Sequence, residues 1–247
     1  MPWSEEQIAD HIENGKTISE IMQKTFEAIG RRSLQDEFSV REFILEQFKD
    51  KNIVSDYDPP TVAFNKNTAN ITYAVSEESS QRLVPDTLIL IDMWARKKRK
   101  GSTFADITWM AYYGESVKKK YQNTFEILLS ARKNAINYIE KCLARKTMPI
   151  ASEIDCRIKE ALLKHNVDQY FLHATGHPLG FVTCHGRRKW ICKSNHLPLE
   201  VNLPYSLEPG VYFKGDYGMR SELNFYIDEK FSLHFTTEIQ DKIVLIK

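Results

Sequence analysis

An α+β fold in a single domain is what the sequence predicts, and three observations carry that prediction. Helically spaced apolar residues occupy the beginning of the chain, short β-branched segments follow, and a long charged helical stretch is then followed by strands again. The order is helices, strands, helices, strands. Strands grouped in this way pair mostly antiparallel, whereas a parallel sheet needs a helix between successive strands. No internal sequence repeat, low-complexity run or linker divides the 247 residues, so one domain over residues 1–247 is expected.

Taken in order, residues 4–30 place Ile8, Ile12, Ile18, Ile21, Met22, Phe26 and Ile29 at roughly helical spacing, and Ser4 with Gln7 has the pattern of a capping box. Gly15 marks a break, giving two helices. A third helix is predicted from Ser39 to Phe48, through Val40, Phe43 and Ile44, before the turn-forming run SDYDPP. TVAFNK, NITYAV, TLILIDMWA and FADITWMAYYG read as strands. The charged stretch from about Glu115 to His165 reads as two helices broken near Thr147 and Pro149. Strands return in EVNLPYSLEPGVYFKG, GMRSELNFYID, FSLHF and DKIVLI.

With 34 basic against 33 acidic residues, bulk charge gives no reason to expect nucleic acid or an anionic membrane as partner. No apolar run approaches the roughly 18 residues of a membrane span, and the start lacks the features of a secretory signal, so a cytoplasmic protein is expected. Four cysteines in a chain of this length make no disulfide framework and are expected to be reduced thiols.

Asp92 follows the apolar run LILI, where an unpaired carboxylate would be costly. Asp106 lies fourteen residues on, and a hairpin through the basic loop Arg96 to Gly101 would bring the two carboxylates face to face. Glu208 and Glu222 repeat this fourteen-residue spacing on two further apolar strands, and His177, in HATGHPLGF, supplies an imidazole. Four carboxylates and one neutral histidine form a mostly hard donor set that suits manganese, cobalt, iron or zinc and exceeds what one ion needs. Two divalent ions sharing carboxylates would acidify a bridging water to hydroxide and polarise a scissile carbonyl, which is the chemistry of amide hydrolysis.

The strings IDMWA, FADITW, HATGH, LEPGVY and RSE, in that order, resemble the successive metal-ligand motifs of the creatinase, prolidase, aminopeptidase P and methionine aminopeptidase superfamily. The resemblance spans essentially the whole chain and implies the pita-bread fold, with helices packed in a pseudo-two-fold arrangement outside a curved, mostly antiparallel sheet. It implies Asp92, Asp106, His177, Glu208 and Glu222 as ligands of two divalent ions, manganese first, with Asp106 and Glu222 bridging. The short gap between Glu208 and Glu222 and the doubled histidine are similar to the prolidase and aminopeptidase P branch, so an Xaa-Pro aminopeptidase or dipeptidase is implied. Glu208 is then the general base. His173 is implied near the substrate carbonyl, as a binder or oxyanion donor, and Arg220 as support for the bridging carboxylate. The implied partners are a peptide or small amide substrate and a second copy of the chain.

The chain departs from the family pattern at several places. Thr72, in NITYAV, stands where the family has a histidine, and Cys184 stands where another falls, with adjacent His185 able to serve after a one-residue insertion. The hairpin DMWARKKRKGSTFAD is long, and the separate amino-terminal domain of prolidases is not expected within these residues. These departures keep open a non-peptide amide hydrolase on the same fold, or a non-catalytic binding member. Cys184, His185, Cys192 and His196 lack zinc-finger spacing and read as solvated or site-edge residues. The run Arg96 to Lys100 reads as a solubilising hairpin tip, and Trp94, Trp109, Tyr112 and Tyr113 as core, with pocket lining the lesser reading.

Overall fold

The computed structural model describes residues 2–187 and 189–247. Helix α1 (Glu5–Gly30) runs unbroken through Gly15, where a break was expected. The glycine is there for packing: a Cβ at position 15 would overlap the Thr236 backbone carbonyl. Ser4 and Gln7 close the predicted capping box, the Gln7 amide donating to Ser4 Oγ and the Ser4 amide to Gln7 Oε1. Helix α2 (Glu37–Asp50) covers the third predicted helix with a margin at each end.

Strand β1 (Ile53–Val54) leads to β2 (Thr61–Phe64), β3 (Thr87–Lys97) and β4 (Ala105–Tyr113). The remaining elements are α3 (Lys119–Ala144), α4 (Ala151–Leu163), β5 (Tyr205–Leu207), β6 (Gly210–Phe213), β7 (Tyr217–Arg220), β8 (Leu223–Ile227), β9 (Leu233–Phe235) and β10 (Val244–Ile246). The break between α3 and α4 falls at Thr147–Pro149, as predicted. One sheet has the order β1-β3-β4-β10, with β2 also on β3; β5-β8-β9 and β6-β7 form the others. All pairs are antiparallel except β10 on β4.

NITYAV is not a strand. The segment from Asn65 to Gln81 is a 3-10 turn followed by loop, and one buried carboxylate holds it. Glu37 accepts hydrogen bonds from the Phe64 and Gln81 amides, the Asn67 amide group and the Tyr73 hydroxyl. These contacts from α2 pin both ends of the loop, and within it the Thr72 amide donates to Asn70 Oδ1 and the Tyr73 amide to the Asn70 carbonyl, turn bonds in place of a ladder.

The period of two along β3 and β4 divides the core. Ile89, Ile91, Met93, Ile107 and Trp109 pack against Ile18, Ile21, Met22 and Phe26 of α1. Leu88, Leu90, Met110 and Tyr112 turn the other way, toward Phe125 and Leu128 of α3 and Ile154 and Ile158 of α4. Trp109, Tyr112 and Tyr113 are thus core residues; Trp109 stacks on Phe26.

The basic hairpin does more than keep a tip soluble. Arg99 and Lys97 reach back to the buried Asp10 of α1, at 2.6 and 3.7 Å, and Asp10 also accepts from Ser102 Oγ and the Thr103 amide. Burial pushes the Asp10 carboxyl up, and these donors more than reverse it, for a net lowering. Among the described residues no helix is long and apolar enough to cross a membrane.

Gly15→Ala tests the packing explanation. Helix propensity alone would make alanine better by up to about 1 kcal/mol. The overlap with Thr236 predicts instead a loss of about 1–3 kcal/mol in denaturant unfolding; a gain would contradict the close approach.

Candidate metal centre

The β3–β4 register pairs Asp92 with Thr108 and Trp94 with Asp106. Both aspartates therefore lie on one face of the hairpin, diagonal to each other and not directly opposite. Glu208 and Glu222 are not inside strands, as expected, but at breaks between them. Leu207 pairs with Leu223 and Gly210 with Arg220, which leaves Glu208–Pro209 opposite Ser221–Glu222 at the point where the long hairpin changes sheet. Pro209 has no amide to continue a ladder. Its carbonyl still accepts from the Ser221 amide at 3.0 Å.

His177 lies alongside β5. Its amide donates to Ser206 Oγ at 3.0 Å and its carbonyl accepts from the Ser206 amide at 2.8 Å. The preceding residue must be glycine, since a Cβ at Gly176 would overlap the Ser206 carbonyl. His177 Nδ1 is 3.1 Å from the Pro178 carbonyl, an atom that can only accept, so Nδ1 carries the proton. Burial holds the ring pKa below its usual value despite the attraction of Glu208. The neutral ring thus turns the lone pair of Nε2 toward Asp106 Oδ2 at 3.5 Å and Glu208 Oε1 at 3.4 Å.

Asp106, His177 and Glu222 are buried and offer donor atoms all within 4.8 Å of one another. Among the described residues, Asp106 Oδ1 and Glu222 Oε1 are buried without a hydrogen-bond partner. Burial, and then the charge of Asp92, push the Asp106 pKa up to about 7; burial and the other carboxylates push Glu222 well above its usual range and raise Glu208. Unpartnered carboxylate oxygens beside an imidazole lone pair repel one another unless a cation or protons lie among them, so the residues fit a divalent metal ion.

A profile of metallopeptidase family M24 matches residues 8–229. The chain belongs to this family. It is 29% identical over 161 residues to an Xaa-Pro dipeptidase of Lactobacillus delbrueckii subsp. lactis, a match covering 65% of the chain and 40% of that protein. An Xaa-Pro dipeptidase of Pyrococcus furiosus is 28% identical over 151 residues, 61% of the chain and 40% of its own length. Among solved structures, the X-Pro aminopeptidase from Thermotoga maritima aligns over the whole chain and 65% of its own length, with a TM-score of 0.85 at 20% identity. A prolidase from Thermococcus sibiricus aligns over 98% of the chain and 61% of its own, with a TM-score of 0.82 at 20% identity. The fold is theirs, the pita-bread α+β arrangement, and the chain spans about three fifths of their length.

Several residues of this M24 chain take positions that differ from the sequence reading. Arg220 pairs with Asp92 and not with Glu222, the carboxylate expected to bridge: its guanidinium pairs with Asp92 Oδ2 and its Nε donates to Thr108 Oγ1 at 2.8 Å. Thr108 Oγ1 is in turn 2.7 Å from Glu222 Oε2 and 3.0 Å from Asp92 Oδ1. Asp92 therefore stands outside the three-residue cluster, with both oxygens engaged. His173 is not free to donate to a substrate. Its Nδ1 donates to the Ala174 carbonyl at 2.8 Å, and its Nε2 accepts from the Tyr212 hydroxyl at 2.8 Å, since burial and Arg220 lower the ring pKa to about 3. His185 stands edge-on to His177, ring centres 4.3 Å apart, and stacks on Trp190. Thr72 is exposed, its hydroxyl bonded to Asn70.

Cys184 and His185 do not combine with Cys192 and His196: Cys192 contacts Ser194, and His196 contacts Ser152. Cys184 is buried with its sulfur 3.2 Å from Asp106 Oδ2, and burial and that carboxylate raise its pKa well above the usual range. Trp94 lies on the same face of the hairpin as Asp92 and Asp106 and donates its indole proton to Asp56 Oδ1. The sequence reading missed Thr108 and Asp56. Thr108 was legible, two residues beyond Asp106 and so on its face of the strand; Asp56, in the SDYDPP turn, carries no local signal.

The raised pKa of Asp106 sets a stability signature for the metal-free protein. The native carboxyl keeps a proton that the unfolded chain releases near its ordinary value of 3.8, so this contribution is complete below that pH and lost as pH rises toward about 7. Asp106→Asn cannot ionise. Its melting temperature in chelator is expected to exceed that of the unsubstituted protein by a margin that widens from about pH 5 to about pH 7.5. A constant or shrinking margin would contradict the burial of an ionisable Asp106.

Proposed function

We propose that this M24 chain is the catalytic unit of a dinuclear metallopeptidase acting on Xaa-Pro bonds, as an aminopeptidase or dipeptidase. The observation that carries the reading is the buried set Asp106, His177 and Glu222, with unpartnered carboxylate oxygens and an imidazole lone pair directed among them. Relatives named Xaa-Pro dipeptidase support the substrate class. Asp106, His177, Glu208 and Glu222 would hold the ions together with Asp92, and the oxygen-rich donor set favours manganese, with cobalt, zinc and iron also matching it. Two bound ions supply an acidified water and Lewis-acid polarisation of the scissile carbonyl.

The chain's own residues then have distinct work. Glu208 takes the proton: burial raises its affinity for one, and Ser206 Oγ, 3.1 Å from Oε1, orients it. Arg220 offsets part of the negative charge through Asp92 and, with Thr108, fixes that side chain. The Pro178 carbonyl keeps the His177 proton on Nδ1, which preserves Nε2 as a donor atom. His185, beside His177 and stacked on Trp190, with no hydrogen bond to its ring among the described residues, replaces His173 as the better-placed imidazole for substrate contact.

Manganese-loaded protein is expected to cleave Xaa-Pro dipeptides or peptides with an amino-terminal Xaa-Pro sequence in preference to Met-Xaa peptides. Asp106→Ala and Glu222→Ala should each lower kcat/KM at least about 100-fold, with loss of bound metal. Glu208→Gln should lower kcat about 100-fold to 10,000-fold with less effect on KM. Metal-loaded protein inactive on every Xaa-Pro peptide, or variants with full activity, would contradict the proposal.

A further inference from the structure

Cys184 takes no part in the chemistry above, yet its setting is tightly determined. The side chain is 1% exposed, and its sulfur lies 3.2 Å from Asp106 Oδ2. Its amide donates to Asp56 Oδ2 at 3.0 Å and its carbonyl accepts from the Gly180 amide at 2.9 Å. Asp56 is itself held by the Trp94 indole, 2.8 Å from Oδ1, and Trp94 is the cross-strand partner of Asp106. The thiol is thereby anchored to the same strand pair that carries the carboxylate it touches.

With Asp106 ionised, as a carboxylate holding a metal ion must be, the contact has one chemical interpretation. A thiolate so close to a carboxylate would be repelled, whereas a thiol has a single proton to donate and the carboxylate only accepts. The other oxygen, Asp106 Oδ1, is buried and has no partner, and Glu222 Oε1 shares that condition. One end of the carboxylate is held and the other is open. Left alone, a carboxylate turns freely about its terminal torsion, whose energy profile is broad.

We propose that Cys184 is a positioning residue of the metal centre, its S–H donated to Asp106 Oδ2 so that the carboxylate is fixed with Oδ1 open to a divalent ion. The proposal rests on the metal-centre reading above. It assigns the sulfur no bond to the ion: Cys184 is not among the residues whose donor atoms converge within 4.8 Å. An imidazole at this position would bring a second ring nitrogen and a group that can carry charge; the thiol brings one weak donor and no charge.

The test is titration of the metal-free protein with cobalt(II), followed by absorption, for the unsubstituted chain and for Cys184→Ala and Cys184→Ser. The unsubstituted chain should bind cobalt without a thiolate-to-cobalt charge-transfer band. Cys184→Ala should weaken cobalt binding about 10-fold to 100-fold, the usual effect of removing a group that orients a ligand. Cys184→Ser, which restores a donor, should recover most of it, with melting temperatures in chelator showing that all three proteins fold. A charge-transfer band lost in Cys184→Ala would make the sulfur a ligand and overturn the proposal, as would equal affinity in Cys184→Ala or an equal loss in the folded serine variant. If the unsubstituted chain binds no cobalt at all, the metal-centre reading itself fails and this one with it.

Discussion

Repulsion among buried carboxylates is the constraint on which the rest of this structure depends. Asp106 and Glu222 present oxygens within 4.8 Å of each other, and Glu208 reaches the same imidazole. Two unit charges at that separation cost roughly 3 to 4 kcal/mol at an effective dielectric of about 20, and burial adds its own penalty to each. Arg220 offsets only part of this, because its guanidinium is committed to Asp92. A domain does not keep so costly an arrangement for stability, since apolar residues of similar volume would serve better. The cost makes sense when the site binds cations.

The fold meets that constraint by placing charges on stiff elements. β3 and β4 hold Asp92 and Asp106, and the Asp10 network ties their connection to α1. Glu208 and Glu222 sit where the second pair of strands breaks, which frees their side chains from the alternation of a continuous ladder; Glu222 reaches Thr108 of β4 and Glu208 reaches His177. The Glu222 amide reaches the Thr108 carbonyl at 3.4 Å, and Asn224 Oδ1 accepts from the Asp106 amide at 2.8 Å. The two halves of the molecule are therefore joined at the candidate ligands themselves. Any slip of one half against the other would move the donor set.

Much of this was legible in the sequence, for physical reasons that also explain the rest. The helical spacing of Ile18, Ile21, Met22 and Phe26 and the apolar runs around Asp92 and Asp106 report burial, which is what patterning encodes. Gly15 misled because glycine weakens helices in general, while here a backbone carbonyl from the far end of the chain requires it. NITYAV misled because its β-branched residues match a strand, while Glu37, in α2, supplies hydrogen bonds that a window around Thr72 does not contain. The candidate ligands could be named from their motifs, but the partner of Arg220, the engagement of both His173 nitrogens and the Trp94–Asp56–Cys184 chain depend on contacts between distant segments.

The most direct measurement is a crystal structure of the protein grown with manganese at neutral pH, with anomalous scattering used to locate the ions. The account predicts anomalous density among Asp106, His177, Glu208 and Glu222, with a second site toward Asp92, and the now unpartnered oxygens of Asp106 and Glu222 as ligands. Well-ordered carboxylates with no anomalous density between them would contradict it.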